Sequence, residues 1–279
     1  MIKLAFALSH ALTFPAQEDI YLEVIGDPQT AKAQIFYAPH ENEAVANHYV
    51  AKKIKKFGGA LIIMRQQGTR NITLHINKNY VYVDPNRIFT KAGIRSSIKK
   101  LNPNLSPEST IFRLAVERAF QLGKFVLTQL QEKSSAPTWV ALHNNTEGFE
   151  GDNNQGRGDV SIYRYQAKLS KGASFLIDVN VGYDQDEDNL FYVTKPEDFE
   201  LMRKYHWNVV LQNPVVTTDP KEDDGSLSVY AQMHNIRYIN IEAERQDVDK
   251  LGKNNTETQQ EMIDFIYYVT NSNNANTSP

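Results

Sequence analysis

The chain has 279 residues and no cysteine, which excludes disulfides, thiolate metal ligands and a cysteine nucleophile, so any metal must sit on histidine and carboxylate. Its 30 basic and 33 acidic residues give a formal net charge of -3 with no Lys/Arg-rich block, a balance that argues against nucleic acid as a partner. At this length one large core can be buried, and a single domain is the expectation.

The N-terminal stretch MIKLAFALSHALTFPAQED carries one lysine, an apolar run interrupted by Ser9 and His10, and a small residue, Ala16, ahead of a polar segment. It reads two ways: as a short secretory signal over residues 1–16, implying a periplasmic or secreted protein, or as a first strand or helical lead-in of a cytoplasmic one. Phe14 stands where a cleavage site prefers a small residue. No later run approaches the roughly 18 apolar residues of a membrane span, and no stable membrane insertion is expected.

DIYLEVIG alternates in strand fashion, and AQIFYA is a short apolar run of buried-strand type ending just before His40. From Glu43 to Lys56, Val45, Tyr49, Val50 and Ile54 share one helical face, and Gly58-Gly59 closes that helix. ALIIMR, NITLHI and YVYVDP read as three strands. A long amphipathic helix is expected from Ser109 to about Gln131, with Phe112, Ala115, Val116, Ala119, Phe120, Leu122 and Val126 at helical spacing. WVALH is the next buried strand, ending at His143, and residues 144–158, rich in Asn, Gly and Glu, read as an irregular loop.

SFLIDVNV, NVVLQ, SLSVYAQ and RYINIEA continue as further strand-like segments around the helical PEDFELMRKYH. NNTETQQEMIDFIYYV makes a closing helix with Thr256 and Gln259 at capping-box spacing. The alternation implies one α/β domain over residues 17–270, with a mostly parallel or mixed twisted sheet flanked by helices on both faces. Residues 271–279 form a polar tail.

Open α/β sheets bind ligands outside the carboxyl ends of their strands. Three expected strands end in candidate groups: His40 with Glu43, His143, and Glu242. Two neutral imidazoles and one carboxylate make a three-ligand zinc site with a fourth position open, leaving Glu242 as a base. Of the seven histidines only His40 has a glutamate three residues on, and a lone pair of this kind also fits a polar loop capping a strand.

The order HENE, GTRN, DPNRIF, ALHNNTEG and NIEAERQ resembles the zinc carboxypeptidase superfamily, closest in motifs to its aspartoacylase and succinylglutamate desuccinylase branch. The resemblance spans residues 35–269 and rests on these five short motifs. It implies that His40, Glu43 and His143 hold one zinc ion per chain, that Arg70 polarises the scissile carbonyl and that Glu242 is the general base. It implies that Asn86 and Arg87 grip a substrate carboxylate. The stretch between His143 and Glu242 is longer than in that branch. Where digestive carboxypeptidases carry a mobile tyrosine this chain has DPKEDD, and Tyr230 is the nearest substrate-binding candidate; Ser228 falls near the floor of the specificity segment.

Each position also has a plainer reading. Arg65 rivals Arg70, and Glu244 rivals Glu242. Arg87 could be a structural partner of Asp84, and Asn86 a turn residue after Pro85. His143 could be a core-edge histidine bonded to Asn145. Asp184, Asp186 and Asp188 alternate as in a calcium loop, but Asn189 and Lys195 break that pattern, and a solvated acidic loop is expected.

The function expected is zinc-dependent hydrolysis of an amide or peptide bond beside a free carboxylate, on a peptide or an N-acyl amino acid. The alternatives are an inactive binding protein on the same fold, or an amidase or endopeptidase acting on cell-wall peptides. Oligomeric state is not legible.

Overall fold

Nine strands hydrogen-bond into one mixed sheet in the computed structural model, which describes residues 9–31, 33–132, 138–145, 160–244 and 255–275. The chain opens with β1 (Ser9–Thr13) antiparallel to β2 (Tyr21–Gly26). Then come β3 (Gln34–Ala38), helix α1 (Asn47–Phe57) and β4 (Ala60–Arg65). A separate two-stranded hairpin, β5 (Ile72–Ile76) and β6 (Asn79–Val83), leads to helices α2 (Lys91–Leu101) and α3 (Thr110–Leu127). The second half runs β7 (Thr138–Asn145), α4 (Ile162–Ser170), β8 (Leu176–Asn180), β9 (Leu190–Val193) and α5 (Pro196–Lys204). It ends with β10 (Val209–Gln212), α6 (Leu227–Met233), β11 (Arg237–Glu244) and α7 (Asn255–Ala275).

The sheet order is β1-β2-β4-β3-β7-β11-β9-β10-β8, with β4, β3, β7 and β11 mutually parallel at its centre. From β3 the chain steps to β4 on one side, and from β7 it continues through β8, β9, β10 and β11, all on the other. The crevice between the ends of β3 and β7 is therefore a topological switch point, where ligands of open α/β sheets bind.

Period-two alternation divides the apolar residues between two faces. Ile35 and Tyr37 of β3 and Ile62 and Met64 of β4 enter the core covered by α2, α3 and α6. Phe36, Ala38, Leu61 and Ile63 enter the core covered by α1, α5 and α7. The expected α/β sheet with helices on both faces is what forms.

Local differences have local causes. Helix α1 starts at Asn47 rather than Glu43, because residues 40–43 make a turn in which Glu43 N donates to His40 O at 3.0 Å. SLSVYAQ is helical rather than extended: Ser226 Oγ caps α6 by accepting from Val229 N. The turn into that helix needs glycine twice. Gly225 has φ +76, and a Cβ on Gly93 would lie 2.1 Å from Gly225 Cα. Helices α2 and α4 and strand β9 had no counterpart among the expected elements, and NITLHI with YVYVDP pairs outside the main sheet.

The edge strand β1 begins ahead of the expected boundary at residue 17, and Phe14 packs on Phe125 at 5.6 Å between ring centroids. Residues 1–8 of the lead-in lie outside the described residues, as do 146–159, most of the expected loop. Helix α7 continues to Ala275, into the stretch expected as tail. Among the described residues no helix is long and apolar enough to cross a membrane.

Candidate metal centre and its cavity

The turn after β3 and the carboxyl end of β7 bring three side chains together across the switch point. Glu43 Oε2 lies 2.9 Å from His40 Nδ1 and 3.0 Å from His143 Nδ1, and one ligand atom from each residue falls within 4.8 Å of the others. All three are buried, at 1%, 2% and 3% exposure for His40, Glu43 and His143. Asn144 N also donates to Glu43 Oε2 at 3.2 Å, fixing the carboxylate from the β7 side.

The donor set fits a cation. His40 Nε2 lies 2.9 Å from Asp84 Oδ1, and a ring nitrogen facing a carboxylate donates its proton to it. A neutral imidazole has only one N–H, so Nδ1 then turns a lone pair toward Glu43 Oε2. Two acceptors at 2.9 Å need a cation or a proton between them. Burial opposes the proton: it lowers the His40 pKa despite the hydrogen bond His40 donates to Asp84, and pushes His143 down to about 3 despite the charge of Glu242. Two neutral imidazoles and a carboxylate are a three-ligand set of the kind zinc takes.

Asp84 was expected, if anything, as the partner of Arg87. It belongs instead to His40. Burial would raise its pKa, but the hydrogen bond from His40, with the Arg87 and Arg70 guanidinium groups nearby, holds it well below the usual carboxylate range. A carboxylate on the far nitrogen of a ligand histidine fixes its tautomer and ring orientation. The β5–β6 hairpin delivers this residue, since Asp84 directly follows β6.

Glu242 stands beside His143, its lateral neighbour in the parallel pairing of β11 with β7. Its Oε1 accepts from Asn240 Nδ2 at 3.0 Å. Arg70 donates to Glu43 Oε1 and is half exposed. Arg65, its rival, is engaged elsewhere, donating to Glu23 at 2.8 and 3.0 Å. Glu41 accepts from Gln66 N at 2.8 Å and Gly68 N at 2.6 Å, tying the HENE turn to the loop that carries Arg70.

A cavity of about 360 Å³ opens from this cluster, with Arg70, Asn86, Arg87, His143 and Glu242 on its wall. Asn86 Nδ2 approaches His143 Nε2 at 3.4 Å. Arg87 pairs with Asp224 at 3.3 Å, and both are accessible, at 34% and 50% side-chain exposure. Ser226 and Ser228, with hydroxyls 2.9 Å apart, line the cavity with Gln212 and Tyr192.

Tyr230 is not on that wall. Its ring stacks on Trp139 at 6.3 Å and 6° and lies against His234. Glu244, the rival base, is buried farther along β11, where Asn255 Nδ2 donates to it at 2.9 Å. The acidic loop is not solvated as expected: Asp186 and Asp188 are buried and form a second acidic group with Glu244. Side-chain amides of Asn208 and Asn145 donate to the backbone carbonyls of Asp186 and Asp188, drawing that loop inward.

Sequence reasoning passed over Asp84 as a histidine partner, and Asn240 and Tyr192 altogether. The spacing of Asn240, two residues before Glu242 on one strand face, was a usable sign; Tyr192 lies on a strand that was not anticipated.

No protein-family model matches the sequence, and no match is found among the curated proteins. Solved structures similar to this one include a succinylglutamate desuccinylase from Chromobacterium violaceum, 15% identical, with TM-score 0.44 and coverage of 93% of this chain and 68% of that one. Thrombin activatable fibrinolysis inhibitor is 10% identical, with TM-score 0.41 and coverage of 95% and 72%. An N-formylglutamate amidohydrolase from Ralstonia eutropha JMP134 is 11% identical, with TM-score 0.36 and coverage of 88% and 95%.

Proposed function

We propose that this protein is a zinc-dependent hydrolase that cleaves an amide or peptide bond adjacent to a free carboxylate. The observation that carries the reading is the lone-pair-to-lone-pair approach of His40 Nδ1 and Glu43 Oε2, joined by His143 Nδ1, beside a glutamate on the neighbouring strand.

His40, Glu43 and His143 would hold the zinc. When bound, zinc supplies a Lewis acid that makes water nucleophilic near neutral pH and polarises the scissile carbonyl. Glu242 accepts a proton from the attacking water and returns it to the leaving nitrogen as the C–N bond breaks. Arg70 stabilises the charge that develops on the carbonyl oxygen. Arg87, with Asn86, receives the substrate carboxylate, for which a planar guanidinium offers two parallel hydrogen bonds. Asp224, now paired with Arg87 through Oδ2 and held by Ser226 N through Oδ1, is half exposed and would give up only the Arg87 contact as the substrate enters.

The test is to load the purified protein with zinc, count the metal, and assay C-terminally varied peptides and N-acyl amino acids beside their carboxamides. One zinc per chain with selective cleavage of free acids is expected. A protein that binds no zinc, or that cleaves acids and amides alike, ends this reading.

A further inference from the structure

We infer that Asn240 is a positioning residue, holding the Glu242 carboxylate at the angle proton transfer requires; this rests on the reading of Glu242 as the base. The two residues sit two apart on β11 and therefore on the same face of the sheet, and both line the cavity. Asn240 Nδ2 donates to Glu242 Oε1 at 3.0 Å. The amide assignment follows from the chemistry, because the flipped amide would set its oxygen against a carboxylate oxygen.

The other end of the amide makes the case. Asn240 Oδ1 is buried and finds no hydrogen-bond partner among the described residues. A buried acceptor left unsatisfied destabilises a fold, so the side chain is poorly explained as a structural element. Its lateral neighbours are Ala141 on β7 and Tyr192 on β9, a setting in which an apolar side chain of similar size would pack without that penalty. What asparagine offers here and an isosteric apolar residue does not is the one bond to Glu242. Glu242 rises from the strand next to His143, and without that bond its carboxylate would be free to rotate about its own side chain.

The test uses the zinc-loaded full chain and a substrate that the wild type hydrolyses. Asn240→Leu is expected to lower kcat roughly tenfold to hundredfold, the scale of a misplaced catalytic group, with KM and zinc content little changed. Its melting temperature should hold or rise, since the unsatisfied amide is gone. Asn240→Asp, which replaces the donor with a second carboxylate, should lose at least as much turnover. In a Glu242→Gln background Asn240→Leu should add no further loss, because a residue acting through Glu242 has nothing left to position. Losses that multiply in the double variant, or a lower melting temperature with unchanged kcat, overturn the inference while leaving Glu242 as the base. A Glu242→Gln variant with normal turnover overturns that reading and this inference together.

Discussion

His40 Nε2 and Asp84 Oδ1 meet at 2.9 Å although they lie 44 positions apart in the chain, and through that bond the hairpin that precedes Asp84 helps set the edge of His40 that faces Glu43. Asp84→Asn is therefore expected to weaken zinc binding by about 10- to 100-fold, the range seen when such outer partners are removed. His40→Ala, Glu43→Ala and His143→Ala should each abolish it, since a three-ligand site cannot spare one. Competition against a chelator of known affinity measures both effects, and an Asp84→Asn protein with wild-type affinity would free His40 from this dependence.

Glu242→Gln should retain zinc and fold while turnover drops by roughly two to four orders of magnitude, the usual contribution of a positioned base. Glu244→Gln, by contrast, should alter thermal stability and leave turnover nearly intact, because Glu244 is buried against Asn255. Metal content and melting curves on both variants separate the two roles, and a reversed pattern would exchange them.

Under the proposed function, Arg87 is the residue that would read a substrate carboxylate. Amidating the substrate's carboxylate is expected to cost the wild type about 2–4 kcal/mol in transition-state binding, as when a charged hydrogen-bonding group loses its partner. Arg87→Lys should erase most of that preference, since lysine lacks the fork geometry. Asp224→Asn removes the competing carboxylate and should lower KM for free acids. Ratios of kcat/KM for acid and amide are the measurement, and an unchanged ratio in Arg87→Lys assigns substrate choice elsewhere.

Glu41 joins the HENE turn to the Arg70 loop through two backbone N–H groups. Glu41→Ala leaves those donors without their acceptor and is expected to cost about 1–3 kcal/mol of stability. Turnover should fall with it as Arg70 loses its fixed approach. Denaturant melts and steady-state rates on the same variant check this, and loss of neither would detach Glu41 from the loop's placement.

In the metal-free protein, stability should decline as pH falls below about 6.5. The His143 pKa is pushed down to about 3 by burial, so between that value and the ordinary one near 6.5 the unfolded chain binds a proton that the folded chain refuses. Stability then rises with pH across this window, by up to about 1.4 kcal/mol per pH unit for each such histidine, and His40 adds to it in the same direction. Zinc held by these residues would strengthen the dependence, because its ligands must be deprotonated. Denaturation midpoints at pH 7 and pH 5 test the sign, and a midpoint that holds or rises at pH 5 contradicts it.

What the sequence determined by itself was local. The apolar spacing of Phe112, Ala115, Val116 and Ala119 makes α3 under any tertiary arrangement, and the alternation in AQIFYA and RYINIEA puts His40 and Glu242 near strand ends. Those signals are short-range, set by helical and strand periods and by caps such as Ser109. Residue order also carried the motif resemblance that singled out His40, Glu43 and His143.

Tertiary structure decided the rest, because strand order is settled by burying two sheet faces at once and leaves little trace in any one segment. It placed Glu242 laterally beside His143, gave Asp84 to His40 rather than to Arg87, and set Arg87 against Asp224. It turned SLSVYAQ into a helix, through a cap and the close Gly93–Gly225 approach, against its apparent alternation. It also drew Asp186 and Asp188 inward onto asparagine side chains from β7 and from the residue ahead of β10. Charge and polarity had marked that loop for solvent, and only the partners folded against it reversed the outcome.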